Sequence, residues 1–512
     1  MTQRKQITSE RRAKQAAKKH SAASKNSGKS PSAPKKTSEK LHISQALYQG
    51  TISRAAEKFN PEKGTGFSPY IDPALSARAL APEVKPPPPS KTHRVKIEKP
   101  LYGGAFLARI EGKAVFVPLV LPGEQARVRI TQSKSAYATA EPEEILASAP
   151  HRIAPACPHF GACGGCQYQH TDYAAQLSFK QTILRETLER AGVALPAEIA
   201  LLSANPWAYR NRIRLAFDAA GNPGYRGRRS HAVVPIAECP IAAPLLLKAA
   251  LAAAKVARQF VPALRPTEIS LFCNPGETAL LATIFTANPP KTRFDDFAQA
   301  LQAEIPEFIG AELIAEGRPG ELPAISQWSA PSLVYRAASF DYRVDHGAFF
   351  QVNRWLVDAL VQKVVANYKG NLAWDLFAGV GLFARQLTAS FARVLAVESA
   401  QSATAALEAN LRGTTGEAVN AETLAFLRRQ NLSVKPDLIV VDPPRTGLGA
   451  ETCALLAEIA APALAYVSCD PATLARDLRV LTGSGYQIQS VTLADLFPHT
   501  FHLETVVHLR RA

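Results

Sequence analysis

Residues 375–381 read Asp375-Leu376-Phe377-Ala378-Gly379-Val380-Gly381, an apolar strand end that runs into a glycine turn and then into a helix-compatible stretch. Glycines at 379 and 381 let the backbone turn sharply and approach a ligand with no Cβ in the way. The spacing is not that of a phosphate loop: no Gly-Lys-Ser/Thr follows, and Ala384 stands where a dinucleotide fold needs its last glycine. Glu398 follows the next apolar run, which ends at Val397, so an acid sits where it can accept hydrogen bonds from ribose hydroxyls. A glycine turn alone is equally compatible with a plain strand–helix connection. With the acid at the next strand end it predicts a nucleoside cofactor, and S-adenosylmethionine fits better than a dinucleotide.

Working outward, strand candidates Leu372–Phe377, Val394–Val397, Leu438–Val441 and Leu464–Val467 are each followed by a helical stretch. This alternation predicts a doubly wound, Rossmann-like α/β domain over residues 336–512. Ligands of such sheets bind beyond the carboxyl ends of the strands, and polar groups occur there in sequence. Asp442 opens Asp442-Pro443-Pro444-Arg445, whose prolines fix the backbone around the acid. Amino-group methylases commonly have an aromatic after the two prolines, and Arg445 occupies that place. Cys469 lies in Ser468-Cys469-Asp470-Pro471-Ala472-Thr473-Leu474, after an apolar strand and before a helix whose start should acidify the thiol. Glu504 closes Phe497-Pro498-His499-Thr500-Phe501-His502-Leu503-Glu504, just before a terminal strand that begins near Thr505. Taken singly, these are equally an inert buried cysteine, surface histidines and a strand-edge charge.

Upstream, residues 152–335 form a mixed strand and helix region with Cys157, Cys163, Cys166 and Cys239. Three clustered thiols and a distant fourth suit an iron–sulfur cluster or a structural zinc, and spacing does not choose between them. Residues 93–151 show short alternating runs (Arg94–Glu98, Ala114–Val117, Ala126–Ile130) separated by Gly103-Gly104, Glu111-Gly112 and Pro122-Gly123. They predict a small OB-like β-barrel of the kind that binds single-stranded nucleic acid. Residues 1–92 are rich in Lys, Ser, Ala and Pro and end in a run of four prolines, which predicts a disordered tail and linker. The chain carries a formal net charge of +16. Its first 92 residues hold 18 basic and 6 acidic side chains, so +12 of the excess lies there. That distribution suits a polyanionic partner. Arg210, Arg212 and Arg214 alternate, and Arg228-Arg229 lie in a glycine-flanked loop; both read as phosphate contacts or as ordinary solvated faces. No run of about 18 apolar residues or apolar leader occurs, so a cytoplasmic location with no membrane contact is expected, and no self-associating stripe argues against a monomer.

Together, Asp-Leu-Phe-x-Gly-x-Gly, Asp-Pro-Pro-Arg, Ser-Cys-Asp-Pro-Ala-Thr-Leu, Phe-Pro-His-Thr-x-His-x-Glu and Phe349-Phe350-Gln351-Val352-Asn353 resemble the bacterial RNA 5-methyluridine methyltransferases. The likeness covers residues 93–512, including a barrel similar to the TRAM domain of that family. It implies a class I methyltransferase fold, with S-adenosylmethionine held by Gln351, Phe377, Glu398, Asn420 and Asp442. Asn420 falls in a stretch with no clear pattern, and Leu382 replaces an asparagine found in some members. The resemblance also implies Cys469 as nucleophile, Glu504 as proton-abstracting base and a 4Fe-4S cluster on Cys157, Cys163, Cys166 and Cys239. The expected substrate is RNA, 23S rRNA before tRNA, with the target uridine flipped out or unpaired. The competing readings are a methyltransferase acting on cytosine or an amino group and a non-catalytic, metal-bearing RNA-binding protein. A binding protein needs neither Cys469 nor Glu504.

Overall fold

The computed structural model describes residues 92–260, 264–287, 293–315, 324–365, 367–430 and 433–511. The basic segment expected over 1–92 lies outside the described residues except for Thr92.

Strands β1 (Thr92–Lys96), β2 (Lys99–Pro100), β3 (Ala105–Ile110), β4 (Lys113–Pro118), β5 (Gln125–Ser133) and β6 (Tyr137–Ala147) form one sheet in the order β1-β5-β6-β4-β3-β2. The sheet curls until β1 meets β3. Glu111 (φ 51°) and Gly112 (φ 79°) are both left-handed, the conformation a two-residue hairpin turn requires, and they join β3 to β4. Register shifts between β5 and β6 help bend the sheet. Its interior holds Phe106, Val115, Val117 and Val128, and also Tyr168, Phe179 and Phe501 from outside the sheet. Each such burial contributes about 1.5–3 kcal/mol, so this barrel is fused to its neighbours through its core. Strands β3 and β6 lacked strict alternation and were not anticipated.

Helix α1 (Tyr173–Arg190) starts at Asp172, whose side chain accepts the Ala175 N–H, and packs Ile183, Leu184 and Leu188 against the catalytic core. Then come β7 (Ala200–Leu202), β8 (Arg212–Phe217), β9 (Pro223–Arg226), β10 (Val233–Pro235), α2 (Pro244–Phe260), β11 (Pro266–Cys273), β12 (Leu280–Thr286), α3 (Phe294–Glu304), β13 (Phe308–Ala315) and β14 (Ala324–Ser329). The second sheet runs β10-β9-β8-β11-β12-β13-β14. Leu246 and Ala250 of α2 and Phe297 and Leu301 of α3 cover it. A hairpin, β15 (Ser332–Ala337) and β16 (Phe340–Asp345), then leads to α4 (Val357–Val365).

The catalytic sheet is built from β17 (Gly370–Leu376), β18 (Phe391–Glu398), β19 (Gly416–Asn420), β20 (Leu438–Val441), β21 (Ala463–Ser468), β22 (Tyr486–Ala494) and β23 (Glu504–Arg511). Between them lie α5 (Leu382–Leu387), α6 (Gln401–Leu411), α7 (Thr423–Arg428), α8 (Gly449–Ile459) and α9 (Pro471–Gly483). The order is β19-β18-β17-β20-β21-β23-β22-β7, with β23 antiparallel to both neighbours. All four strands expected from the sequence are present. The chain reverses direction across the sheet between β17 and β20, which opens a ligand crevice at their carboxyl ends. Asn420, expected in a loop, instead ends edge strand β19, whose half-exposed residues left no apolar alternation to read. The upstream strand β7 pairs in parallel with β22, so the catalytic sheet recruits residues that precede the second sheet. Among the described residues no helix is long and apolar enough to cross a membrane.

Candidate active site

At the end of β17, Phe377 (φ 66°), Gly379 (φ 57°) and Gly381 (φ 89°) carry the chain through the tight turn expected there. One carboxylate oxygen of Asp375 accepts the Ala384 N–H at 2.8 Å and so ties the start of α5 to the strand. Its other oxygen is buried without a hydrogen-bond partner, and burial, with Asp442 and Glu398 nearby, pushes this carboxyl up to about 8. Glu398 accepts the Gly379 N–H at 2.8 Å on one oxygen, and the Ser399 and Ala400 N–H groups at 2.8 and 2.6 Å on the other. The acid thus shapes the glycine turn as well as facing the crevice. Asn420 is its register neighbour on β19. A Cβ added at Gly379 would meet open space, whereas one at Gly381 would stand 2.7 Å from Leu407. The open side of Gly379 leaves room for a ligand to approach the backbone, and the buried, unpaired Asp375 oxygen is a polar group the fold leaves unsatisfied at the same turn. Leu382 is buried in the core and only its carbonyl is engaged, by the Tyr342 hydroxyl at 3.0 Å. Gln351 is also buried; its carbonyl accepts from the Asn211 side chain at 2.9 Å.

Cys469 follows β21, and Asp470 caps α9 by accepting the Ala472 and Thr473 N–H groups at 3.0 and 2.9 Å. Thr473 in turn donates to the Arg445 carbonyl at 3.1 Å. Asp477 receives the Leu448 N–H and the Tyr466 hydroxyl, each at 2.7 Å, so the loop after Pro-Pro-Arg is tied to the helix that follows the cysteine. The expected acidification of the thiol is not found. Burial first, and then the Glu504 and Asp442 carboxylates, push the Cys469 thiol above its ordinary range, against the pull of Arg445. Desolvation and the two neighbouring carboxyl groups act against the effect expected of a helix start. Burial, then Asp442, also push the Glu504 carboxyl well above the usual range, again opposed by Arg445, and burial raises Asp442 to about 7. Cys469, Glu504, Asp442 and Arg445 therefore form one electrostatic unit at the carboxyl edge of the sheet.

The segment leading to Glu504 is held by side chains that sequence reasoning did not single out. Asp495 forms a fully buried ion pair with Lys180 at 2.5 Å and accepts the Tyr173 hydroxyl at 2.8 Å. Lys180 also donates to the Phe497 carbonyl at 2.9 Å, and Asn353 donates to the Leu496 carbonyl at 3.2 Å. His499 adopts a left-handed φ of 66°, rare for a residue with a Cβ, and stacks on Trp207 at 4.0 Å. Gln176 accepts its N–H at 2.9 Å and contacts its ring at 3.1 Å. From the barrel side, the Tyr102 hydroxyl reaches the Cys469 carbonyl at 3.5 Å. A signal was available in α1: Gln176 and Lys180 lie one turn apart and, with Ile183 and Leu184, share its buried face.

Cys157, Cys163, Cys166 and Cys239 line one cavity, with Arg210 and Tyr225 beside them. Burial raises all four thiols, Cys163 to about 11. Gln169 donates to the Cys166 sulfur at 3.4 Å. As placed, no three His, Cys, Asp or Glu side chains among the described residues stand close enough to hold one metal ion.

The arginines read as phosphate contacts or solvated faces are engaged within the protein. Arg210 is buried. Arg212 lies 4.2 Å over the Phe272 ring and donates to the Ala348 carbonyl at 2.7 Å, and Arg214 pairs with Glu268 at 2.5 Å. Arg228 and Arg229 both grip Glu141 of the barrel, at 2.6 and 3.1 Å, and Arg127 and Arg129 pair with Glu144 and Glu143. Their acidic partners come from neighbouring strands and from the barrel, which the linear sequence does not reveal.

Comparison with known proteins fits this geometry. Residues 292–512 match the family model described as tRNA (Uracil-5-)-methyltransferase, and residues 89–142 match the TRAM domain. The 23S rRNA (uracil(1939)-C(5))-methyltransferase of Chromohalobacter salexigens is 33% identical over 442 residues, 81% of this chain and 89% of that protein. An RNA methyltransferase of Streptomyces avermitilis is 33% identical over 444 residues, covering 82% of this chain and 98% of its own length. In fold, the chain is similar to the Pyrococcus abyssi tRNA (uracil-54, C5)-methyltransferase solved with S-adenosyl-L-homocysteine (TM-score 0.66, 24% identity, 81% of this chain and 99% of that one).

Proposed function

This chain belongs to the S-adenosylmethionine-dependent uracil-C5 RNA methyltransferases, and from that premise we propose that it methylates a uridine of 23S rRNA through a covalent Cys469 adduct, with Glu504 as the base. One observation supports the mechanism: Ser468 pairs with Thr505 across β21 and β23, so Cys469 and Glu504 stand at the same end of adjacent strands, on the edge of the sheet where the glycine turn opens.

Carbon 5 of uracil is a poor nucleophile. Once its thiol has lost its proton to solvent, addition of the Cys469 sulfur to carbon 6 moves the ring electron pair toward the carbon 4 oxygen as an enolate, which makes carbon 5 reactive. Gln351, Phe377, Glu398, Asn420 and Asp442 would hold S-adenosylmethionine, which would supply the electrophilic methyl group to carbon 5, its methyl–sulfur bond breaking to leave S-adenosylhomocysteine. Glu504 then takes the carbon 5 proton, the carbon 5–carbon 6 double bond reforms, and the Cys469 thiolate leaves. Arg445 offsets the negative charge that gathers on Cys469, Glu504 and Asp442.

The cysteine cavity fits a 4Fe-4S cluster on Cys157, Cys163, Cys166 and Cys239, whose contribution is to cross-link segments rather than to carry electrons. The four thiols line one cavity; their spacing suits a cluster or a zinc alike, and the cluster is preferred on the family resemblance. Residues 93–151 and the basic tail contact the RNA, residues 152–335 carry the cluster and residues 336–512 the chemistry, in a monomeric cytoplasmic enzyme.

The test is to incubate the protein with methyl-labelled S-adenosylmethionine and unmodified ribosomal or transfer RNA, digest the RNA and identify the labelled nucleoside. Label in 5-methyluridine of 23S rRNA supports the reading. Label in tRNA alone moves the substrate, and label in another nucleoside overturns the chemistry.

A further inference from the structure

Gln167 directly follows Cys166, the third clustered cysteine, yet its bonds point toward the other end of the chain. Its side-chain nitrogen donates to the Gly164 carbonyl at 2.9 Å, within the cysteine segment. Its side-chain oxygen accepts the Phe501 N–H at 3.4 Å, and its own N–H and that of Tyr168 donate to the His499 carbonyl at 2.9 and 3.0 Å. The barrel closes on the same point. A Cβ at Gly104 (φ 83°) would stand 2.8 Å from the Gln167 side chain and 3.4 Å from the Phe501 ring, and Tyr102 meets Phe501 edge-on at 5.6 Å. Three pieces of the molecule therefore converge on Gln167: the cysteine segment, the barrel turn and the loop that delivers Glu504.

The placement along that loop is what matters. Lys180, Tyr173 and Gln176 hold residues 495–499, whereas Gln167 holds Phe501, three residues before Glu504 opens β23. We propose that Gln167 is a positioning residue for removal of the carbon 5 proton, and that it links the cysteine-bearing segment to the base. This rests on the reading of Cys469 as nucleophile and Glu504 as base. Losing the Phe501 anchor leaves the nucleophile on its own strand and helix, so the adduct still forms and is methylated. It resolves slowly, because the carboxylate is misplaced by a fraction of the distance over which proton transfer works.

The experiment uses the full chain with its native metal content and RNA labelled with tritium at carbon 5 of uridine. Wild type, Gln167→Ala, Gln167→Glu and Glu504→Gln are compared for methyl-bearing covalent protein–RNA complex on denaturing gels, for tritium release and for iron content. Gln167→Ala is expected to accumulate methylated complex and to release tritium on the order of 10–100-fold more slowly, with unchanged iron. Gln167→Glu, which retains an acceptor for the Phe501 N–H but loses the donor to the Gly164 carbonyl, is expected to recover only part of the release rate. The proposal is overturned if adduct formation and tritium release fall together in Gln167→Ala, if neither changes, or if that variant loses its iron. Failure of Glu504→Gln itself to accumulate complex would instead sink the assignment of the base, a distinct result.

Discussion

The glycine turn and the base loop do comparable work, but they are held in different ways. In the turn, the Asp375 bond to Ala384 spans 9 residues and the Glu398 bond to Gly379 spans 19, so it assembles once β17 and β18 pair. In the base loop, the partners of Asp495, His499 and Phe501 lie 315, 323 and 334 residues away. Docking of α1, the cysteine segment and the barrel has to precede a competent Glu504. The glycine turn is therefore held locally, whereas the loop that leads to Glu504 is held by the whole tertiary structure.

Changes in the loop should separate from changes in the turn. Glu504→Gln is expected to lower turnover by about 10²–10⁴-fold, the usual worth of a positioned base. Its affinity for S-adenosylmethionine should stay unchanged, as read by calorimetric titration; a parallel loss of cofactor binding would merge the two regions. Lys180→Met leaves Asp495 charged and unpaired where both partners are fully buried. It should cost about 3–5 kcal/mol in denaturant unfolding, and a loss near zero would mean the loop needs no distant anchor. Glu398→Ala frees the Gly379 N–H of the turn and the Ser399 and Ala400 N–H groups after β18, and removes the carboxylate proposed to hold the cofactor. Cofactor affinity should fall about tenfold or more, with the thermal midpoint moving far less than in Lys180→Met. Smallest is a pH effect. Because Cys469 is held above the ordinary thiol range, it is neutral at pH 7 in the free enzyme, and single-turnover adduct formation should rise about tenfold per unit from neutral to mildly alkaline pH. A flat profile would mean that another group sets the rate.

The same contrast explains what the sequence revealed. The turn, Glu398 and the four central strands were legible because their signals are short-range: glycines at a strand end, an acid at the next, apolar runs of strand length. Cys469 and Glu504 were legible as motif residues, but the raised thiol was not, since Glu504 and Asp442 approach it only in the folded chain. Gln167 carried no such mark, Gln176 and Lys180 carried only their shared place on one face of α1, and the partners of the alternating arginines were hidden because Glu268 and Phe272 sit on a strand that pairs with theirs. Strand β19 went unread because an edge strand with no buried face shows no alternation.

The central claim is a covalent bond from Cys469 to the uracil ring, and RNA carrying 5-fluorouridine at the target tests it most directly. Fluorine cannot leave as a cation, so Glu504 has no proton to take and the methylated adduct should be trapped. Denaturing gels should show a stable protein–RNA complex that depends on S-adenosylmethionine, and mass spectrometry of its peptides should place the nucleotide on Cys469. A complex mapped to another residue, or one that survives in Cys469→Ala, would contradict the account.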